Sequence, residues 1–284
     1  MKSVVVTGVS TGIGWGVVKV LTAQGFRVFG SVRKQADADR LRQEFGDKFV
    51  PLIFDVTDEA AVHAAAAQVS EALGGETLAG LVNNAGVAVA GPLLHLPIAE
   101  FRQQIEVNLT GVVTVTQAFA PLMSPGADRK GAPGRIVNIS SVGGKNATPF
   151  VGPYSASKFA LEGLSEALRR ELLLLGIDVI IVAPGAVATP IWGKAREEDI
   201  EPYRDTVFFP ALQKVQAYMQ GLGKTGLAPE VLGETVAKAL STAKPKVRYT
   251  VTPTPFQTFL TANLPKRTVD RMLGGRLGLL PGKG

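Results

Sequence analysis

"SVVVTGVSTGIG" runs from Ser3 to Gly14 and decides how the rest of the chain is read. A β-branched run, which favours a strand, meets three glycines, Gly8, Gly12 and Gly14, and a helix-patterned stretch follows over about 12–24. A glycine-rich turn from strand to helix lets backbone N–H groups approach a pyrophosphate at the helix N-terminus, where the dipole favours anions. Ser10, Thr11 and Ile13 fill the turn. Three residues separate its first two glycines, against one in G-x-G-x-x-G. A glycine turn without any ligand is the competing reading.

What lies beyond the turn favours the ligand. Short β-branched runs recur at 3–7, 27–32, 49–54, 78–83, 135–140, 178–183 and 247–251. Helical patterns fill 36–45, 58–73, 97–123, 152–175 and 229–243. Continuous apolar strands alternating with amphipathic helices predict a parallel sheet covered on both faces, closed by right-handed crossovers into a doubly wound α/β fold. About seven strands are expected, and the alternation is never interrupted for long enough to admit a second domain. Residues 1–284 are therefore expected to form one domain, with an insertion over 190–228 and a C-terminal extension over 252–284.

Composition narrows the function. The 284 residues are 46% hydrophobic, enough for a large core. There is no cysteine, hence no disulfide framework, thiol nucleophile or thiolate metal site. The two histidines, His63 and His95, are too few for a histidine metal site, and no metal is expected. No apolar run reaches the ~18 residues of a membrane span, and no secretory leader is visible. A cytoplasmic location is expected. Of the formal charge of +6, Lys266, Arg267, Arg271, Arg276 and Lys283 against Asp270 place +4 in the tail. The nearly neutral body argues against a nucleic-acid groove. For the basic tail, a solvated or subunit-facing helix is favoured over a membrane contact.

The second strand speaks to the cofactor. In this fold an acid ~20 residues beyond the glycine turn binds a ribose 2′-hydroxyl, whereas arginine accommodates a 2′-phosphate. The strand ends "GSVRK", so Arg33 and Lys34 stand where the acid would be. Guanidinium suits a phosphate monoester, and Ser10 could add a hydroxyl. NADP(H) is expected over NAD(H), with an ordinary exposed arginine as the alternative.

"TGVSTGIG" is joined by "NNAG" at 83–86, "VNISS" at 137–141, "YSASK" at 154–158 and "PGAVAT" at 184–189. In this order, and on expected strand ends, they resemble the motif series of the short-chain dehydrogenase/reductase family over roughly residues 3–251. The resemblance implies a Rossmann-type fold and hydride transfer between a nicotinamide dinucleotide and an alcohol or carbonyl. It implies Tyr154 as acid/base, Lys158 as its partner and ribose ligand, Ser141 on the substrate oxygen and Asn108 supporting a proton-relay water. It implies adenine contacts from Asp55 and Val56, and adenosine-side contacts from Asn83, Ala85 and Gly86. Pro184, Gly185, Val187 and Thr189 are implied to grip the nicotinamide carboxamide. Dimers or tetramers built on the helices over 97–123 and 152–175 are implied as well.

Chemistry supports the tyrosine role. Tyrosine titrates near ~10 and lysine near ~10.4. At i and i+4, Tyr154 and Lys158 share a helix face. A nearby ammonium is expected to lower the phenol pKa and fit it for acid–base work near neutrality. A surface Tyr/Lys pair is the blander reading. Ser141 as a hydrolytic nucleophile is weaker still, because no G-x-S-x-G elbow surrounds it. A silent dinucleotide-binding protein and an NAD-dependent enzyme of the same family are the functional alternatives.

Residues 190–228 carry Ile191, Trp192, Tyr203, Phe208, Phe209, Leu212, Tyr218, Met219 and Leu222. Lying above the carboxyl ends of the strands, they suggest an apolar substrate, or else the core of two short helices. "PGAVATPIW" and the long tail are similar to the hydroxysteroid and retinol dehydrogenase branch. In the tail, Leu264–Pro265 reads as a helix boundary, and Val269, Met272 and Leu273 form an apolar stripe beyond it. The tail is expected to pack beside the substrate cleft.

Overall fold

The structure, a computed structural model, describes residues 1–126, 128–189 and 200–281, with the backbone alone at 222–224. Seven strands form one parallel sheet: β1 (Ser3–Val6), β2 (Arg27–Val32), β3 (Phe49–Ile53), β4 (Gly80–Asn83), β5 (Arg135–Ile139), β6 (Asp178–Pro184) and β7 (Arg248–Val251). Their order is β3-β2-β1-β4-β5-β6-β7. The chain steps outward from β1 through β2 to β3, then returns to lay β4 on the other side of β1, where Val5 pairs with both Phe29 and Leu81. That reversal opens a crevice at the carboxyl ends of the strands, the usual ligand site of such sheets.

The helices are α1 (Gly12–Ala23), α2 (Gln35–Phe45), α3 (Glu59–Leu73), α4 (Ile98–Ile105), α5 (Gly111–Phe119) and α6 (Gly152–Glu171). They continue with α7 (Phe209–Thr225), α8 (Pro229–Ser241), α9 (Pro255–Asn263) and α10 (Lys266–Leu277). Successive strand residues face opposite sides, which splits the core in two. Val4, Val6 and Val28 meet Val17 and Leu21 of α1 and Leu232 and Val236 of α8. Val5, Phe29 and Leu81 meet Val62 and Val69 of α3 and Val115 and Phe119 of α5. Both faces are covered, which is why the central strands β1 and β4 are buried throughout rather than alternating.

Two segments differ from their sequence reading. The helix expected over 97–123 widens into a π turn over Glu106–Thr110 between α4 and α5. Gln104 and Asn108 flank or occupy that turn and are buried, holding the backbone of residues 87–89 with their amides. Among its described residues the insertion carries a short 3-10 turn over Glu201–Tyr203 and one long helix, α7. The tail boundary at Leu264–Pro265 is where expected, since α9 ends at Asn263 and α10 begins at Lys266. Of the apolar stripe only Val269 is buried, while Met272 lies exposed.

Candidate active site

One cleft of about 1510 Å³ follows the carboxyl edge of the sheet. Gly8, Ser10, Thr11, Gly12 and Ile13 line one end. The glycine turn is held by its neighbours: Gly8 N–H donates to Ser31 Oγ at 2.9 Å, and Arg40 donates to the Ser10 carbonyl at 2.6 Å. Thr7 Oγ1 accepts from the backbone N–H groups of Asn84 and Ala85 at 2.9 and 3.0 Å. The Asn84 amide donates back to the Thr7 and Gly8 carbonyls. Thus "NNAG" clasps "TG" across β1 and β4.

Two of the glycines are sterically required. Gly8 adopts φ +68°, and a Cβ there would lie 2.8 Å from Ala85 Cα. Gly14 does not line the cleft; a Cβ on it would strike the Gly8 carbonyl and the Asn84 amide. The Thr11 side chain makes no capping bond at the start of α1, whose first turn holds no acid. The free N–H groups and unopposed positive dipole end there are what an anionic pyrophosphate needs.

Arg33, Asp55 and Val56 line the same end. The Arg33 guanidinium lies 3.6 Å from an Asp55 carboxylate oxygen and is largely exposed. Burial pushes the Asp55 carboxyl up, but hydrogen bonds from Thr57 and the charge of Arg33 outweigh it and hold it below the usual range. Ala85, Gly86, Pro184, Gly185, Val187 and Thr189 line the cleft towards its middle. Asn83 does not. Its side chain is buried within the sheet, donating to Asn138 Oδ1 at 2.8 Å and to Thr116 Oγ1 at 3.2 Å. The following residue, Asn84, faces the cleft instead.

Ser141, Tyr154 and Lys158 come together at the centre. Ser141, two residues beyond β5, accepts from Gly143 N–H at 2.9 Å, and its hydroxyl is hydrogen-bonded to the Tyr154 phenol. Lys158 is buried and donates to the Ile139 carbonyl at 2.8 Å. Burial pulls its pKa down to about 8, opposed by the charge of Glu162 one turn further along α6. Glu162 in turn accepts from Arg248 of β7 at 2.9 and 3.2 Å. Desolvation pushes the Tyr154 phenol above its ordinary value, with the Ser141 hydrogen bond opposing. The lowered phenol pKa expected from the i, i+4 spacing is thus not what the structure shows. The ammonium is turned towards Ile139 and stands 5.7 Å from the centroid of the tyrosine ring.

Asn108 is fixed by three bonds, accepting from Val87 N–H at 2.9 Å and donating to the Val87 carbonyl at 3.0 Å and to Ser157 Oγ at 3.2 Å. The Oγ atoms of Ser140 and Ser155 are buried without a hydrogen-bond partner among the described residues, and both residues line the cleft. Buried hydroxyls without partners are costly, so they mark places for a polar ligand. With the crowded glycine turn and the free end of α1, they fit a dinucleotide.

The insertion divides by role. Tyr203 and Leu212 are buried with Ile200 in a small core of their own. Phe208 packs edge-on against His95 and Phe150. Tyr218 and Met219 line the cleft. Pro190, Ile191 and Trp192 lie outside the described residues, as does the side chain of Leu222. His63 is exposed, 3.9 Å from Glu59, far from this chemistry. Among the described residues no cluster of His, Asp and Glu could hold a metal, and no helix is long and apolar enough to cross a membrane.

Residues 2–200 match the short chain dehydrogenase family. The chain belongs to the short-chain dehydrogenase/reductase family. It is 41% identical over 253 residues to an NADPH-dependent 3-dehydrocapnine reductase of Ornithobacterium rhinotracheale, covering 89% of each chain. It is 34% identical to 17-beta-hydroxysteroid dehydrogenase type 6 of Bos taurus, over 87% of this chain and 80% of that one. A crystal structure of a short-chain dehydrogenase from Streptomyces avermitilis superposes with a TM-score of 0.77 at 29% identity, covering 98% and 97% of the two chains. As an oxidoreductase of this family, the chain has a nicotinamide dinucleotide as the expected occupant of its glycine end.

Sequence reading missed Arg40, Asn84, Glu162 and Arg248. Arg40 and Arg248 reach the site from elements distant in sequence, which no local pattern reveals. Glu162 was within reach, since it repeats the four-residue spacing of Tyr154 and Lys158.

Proposed function

We propose that the chain is an NADP(H)-dependent oxidoreductase that interconverts an apolar secondary alcohol and its ketone, or an alcohol and an aldehyde, with Tyr154 as general acid/base. Residues 1–284 would act as one domain. The observation that carries this reading is the grouping of Ser141, Tyr154 and Lys158 in the middle of the dinucleotide-sized cleft. NADP(H), when bound, supplies or accepts the hydride. The chain's part is to hold the carbonyl and manage its proton.

In reduction, the Ser141 and Tyr154 hydroxyls hold the carbonyl oxygen, and Tyr154 gives it a proton. The Lys158 ammonium stabilises the phenolate left behind, so Lys158 must be protonated for the step. A pKa of about 8 keeps it largely so near neutrality. Asn108 keeps the π turn and α6 in register through Val87 and Ser157, and would support the water that reprotonates the site. Asp55, Val56 and the Ala85–Gly86 turn would hold the adenosine half. Pro184, Gly185, Val187 and Thr189 would hold the nicotinamide half.

Arg33 carries the preference for NADP(H), since its only ion-pair partner among the described residues is Asp55 at 3.6 Å, and it lies mostly exposed at the cleft end. The relative that is NADPH-dependent by name supports the same preference. A homo-oligomer is inferred too, and Phe159 and Leu173–Leu175, exposed along α6 and its continuation, supply an apolar patch for a subunit contact.

The test is absorbance-monitored oxidation of NADPH and of NADH over a panel of ketones and aldehydes. Turnover with NADPH and an apolar carbonyl supports the reading; a preference for NADH overturns the cofactor assignment.

A further inference from the structure

Beyond Tyr154 the cleft runs under α7, α9 and α10, and its lining changes character. Val215, Met219, Leu273 and Leu277 form an apolar wall. Beside that wall stand two exposed cations, Lys214 of α7 and Arg276 of α10, both lining the cleft. Lys214 Nζ lies 3.4 Å from the Leu277 carbonyl. The Arg276 guanidinium lies over the Tyr218 ring, 5.6 Å from its centroid, one turn along from Lys214. Both charges therefore sit in one α7–α10 contact.

Most other cations of the cleft are already engaged. Arg33 faces Asp55, Lys158 donates to Ile139 and Arg248 is paired with Glu162. Lys214 and Arg276 form no ion pair among the described residues. The carboxylates that line the cleft are Asp55, paired with Arg33, and Glu106 of the π turn. The negative end of the α10 dipole accounts for one cation at Leu277. A second, held over a tyrosine ring and lining the cleft, exceeds what capping needs.

We propose that Lys214 and Arg276 bind the anionic head group of an amphiphilic substrate. Its apolar body would lie along Val215, Met219 and Leu273, with its carbonyl at Tyr154. This deepens the reading of the cleft as a carbonyl-reducing site and rests on it. Ammonium and guanidinium side by side suit a carboxylate or a related oxyanion. Both are open to solvent, which limits their strength.

Calorimetric binding of decanoate and of decanol to the full chain at low ionic strength decides it. Decanoate is expected to bind about tenfold tighter, equivalent to ~1.4 kcal/mol. The Lys214→Met/Arg276→Met double variant should bring the two to parity, and Arg276→Lys alone should keep part of the preference. Lys266→Met removes the same charge from α10 at a position that does not line the cleft, and should keep all of it. Equal binding by the unaltered chain, or a preference that survives the double variant, overturns the proposal. Reduction of an ω-oxo-decanoate against its methyl ester separates the two readings. If neither turns over while the decanoate preference holds, the head-group site stands and the oxidoreductase reading fails.

Discussion

Lys158 Nζ donates to the Ile139 carbonyl at 2.8 Å and stands 5.7 Å from the ring centroid of Tyr154. The last carbonyl of β5 thus fixes the ammonium against the edge of the sheet, and α6 brings the phenol to it. Helix and strand are tied together at the atoms where a carbonyl would react.

That burial makes stability depend on pH in a defined direction. Folding lowers the Lys158 pKa from 10.5 to about 8. Between these values the unfolded chain binds the extra proton, so stability rises with pH across this window. Below about pH 8 the full penalty of burying the ammonium applies. Chemical denaturation of the wild type and of Lys158→Met from pH 7 to 10 should show the wild type gaining relative to the variant. Parallel pH profiles would mean that Lys158 is not desolvated.

Glu162 opposes that penalty and should set where activity fades. Glu162→Gln leaves Lys158 and Arg248 without their carboxylate, so the Lys158 pKa should fall further. The alkaline limb of NADPH-dependent reduction should then move to lower pH, and stability should drop by roughly 3 kcal/mol, as for a broken buried pair. Glu162→Asp should restore part of both. A lower kcat with an unmoved pH profile would reduce Glu162 to a structural strut.

Arg33→Ala should weaken NADPH by about ten- to hundredfold, the worth of one charge-assisted contact at ~1.5–3 kcal/mol. NADH should bind almost as before, because the two cofactors differ only in the 2′-phosphate. Asp55 would lose its 3.6 Å partner in the same variant, so its carboxyl should titrate at higher pH. Equal losses for both cofactors would show that Arg33 acts by bracing Asp55.

The two tail helices should matter for large substrates. Thr258, Phe259, Thr261 and Asn263 of α9 and Leu273 of α10 line the cleft. Truncation after Pro255 should raise KM for a bulky apolar carbonyl more than for a small one, with NADPH affinity nearly constant. Unchanged KM values for both would place the tail outside the working site.

How far this arrangement was legible depends on how local its causes are. The seven strands and the glycine turn follow from burial on both faces and from a backbone that must approach a phosphate, and both leave marks in consecutive residues. Tyr154 and Lys158 carry the helical spacing on their face. The direction of the Tyr154 pKa was not legible, because it depends on how the ammonium is turned and how deeply the phenol is enclosed. Asn83 and Asn84 are adjacent and chemically alike, and only strand register sends the first into the sheet and the second to the cleft. The Glu162–Arg248 pair joins residues 86 apart in sequence, which no period in one chain can reveal.

The central claim is that Tyr154 moves the proton in a carbonyl reduction, and Tyr154→Phe tests it most directly. The phenyl ring keeps the packing of α6 but cannot donate a proton. NADPH affinity, measured by fluorescence titration, should stay within a few-fold of wild type. Turnover of any reducible carbonyl should fall by ~10²–10⁴-fold, the usual worth of general acid–base catalysis. A variant that binds NADPH and keeps the wild-type kcat would contradict the account.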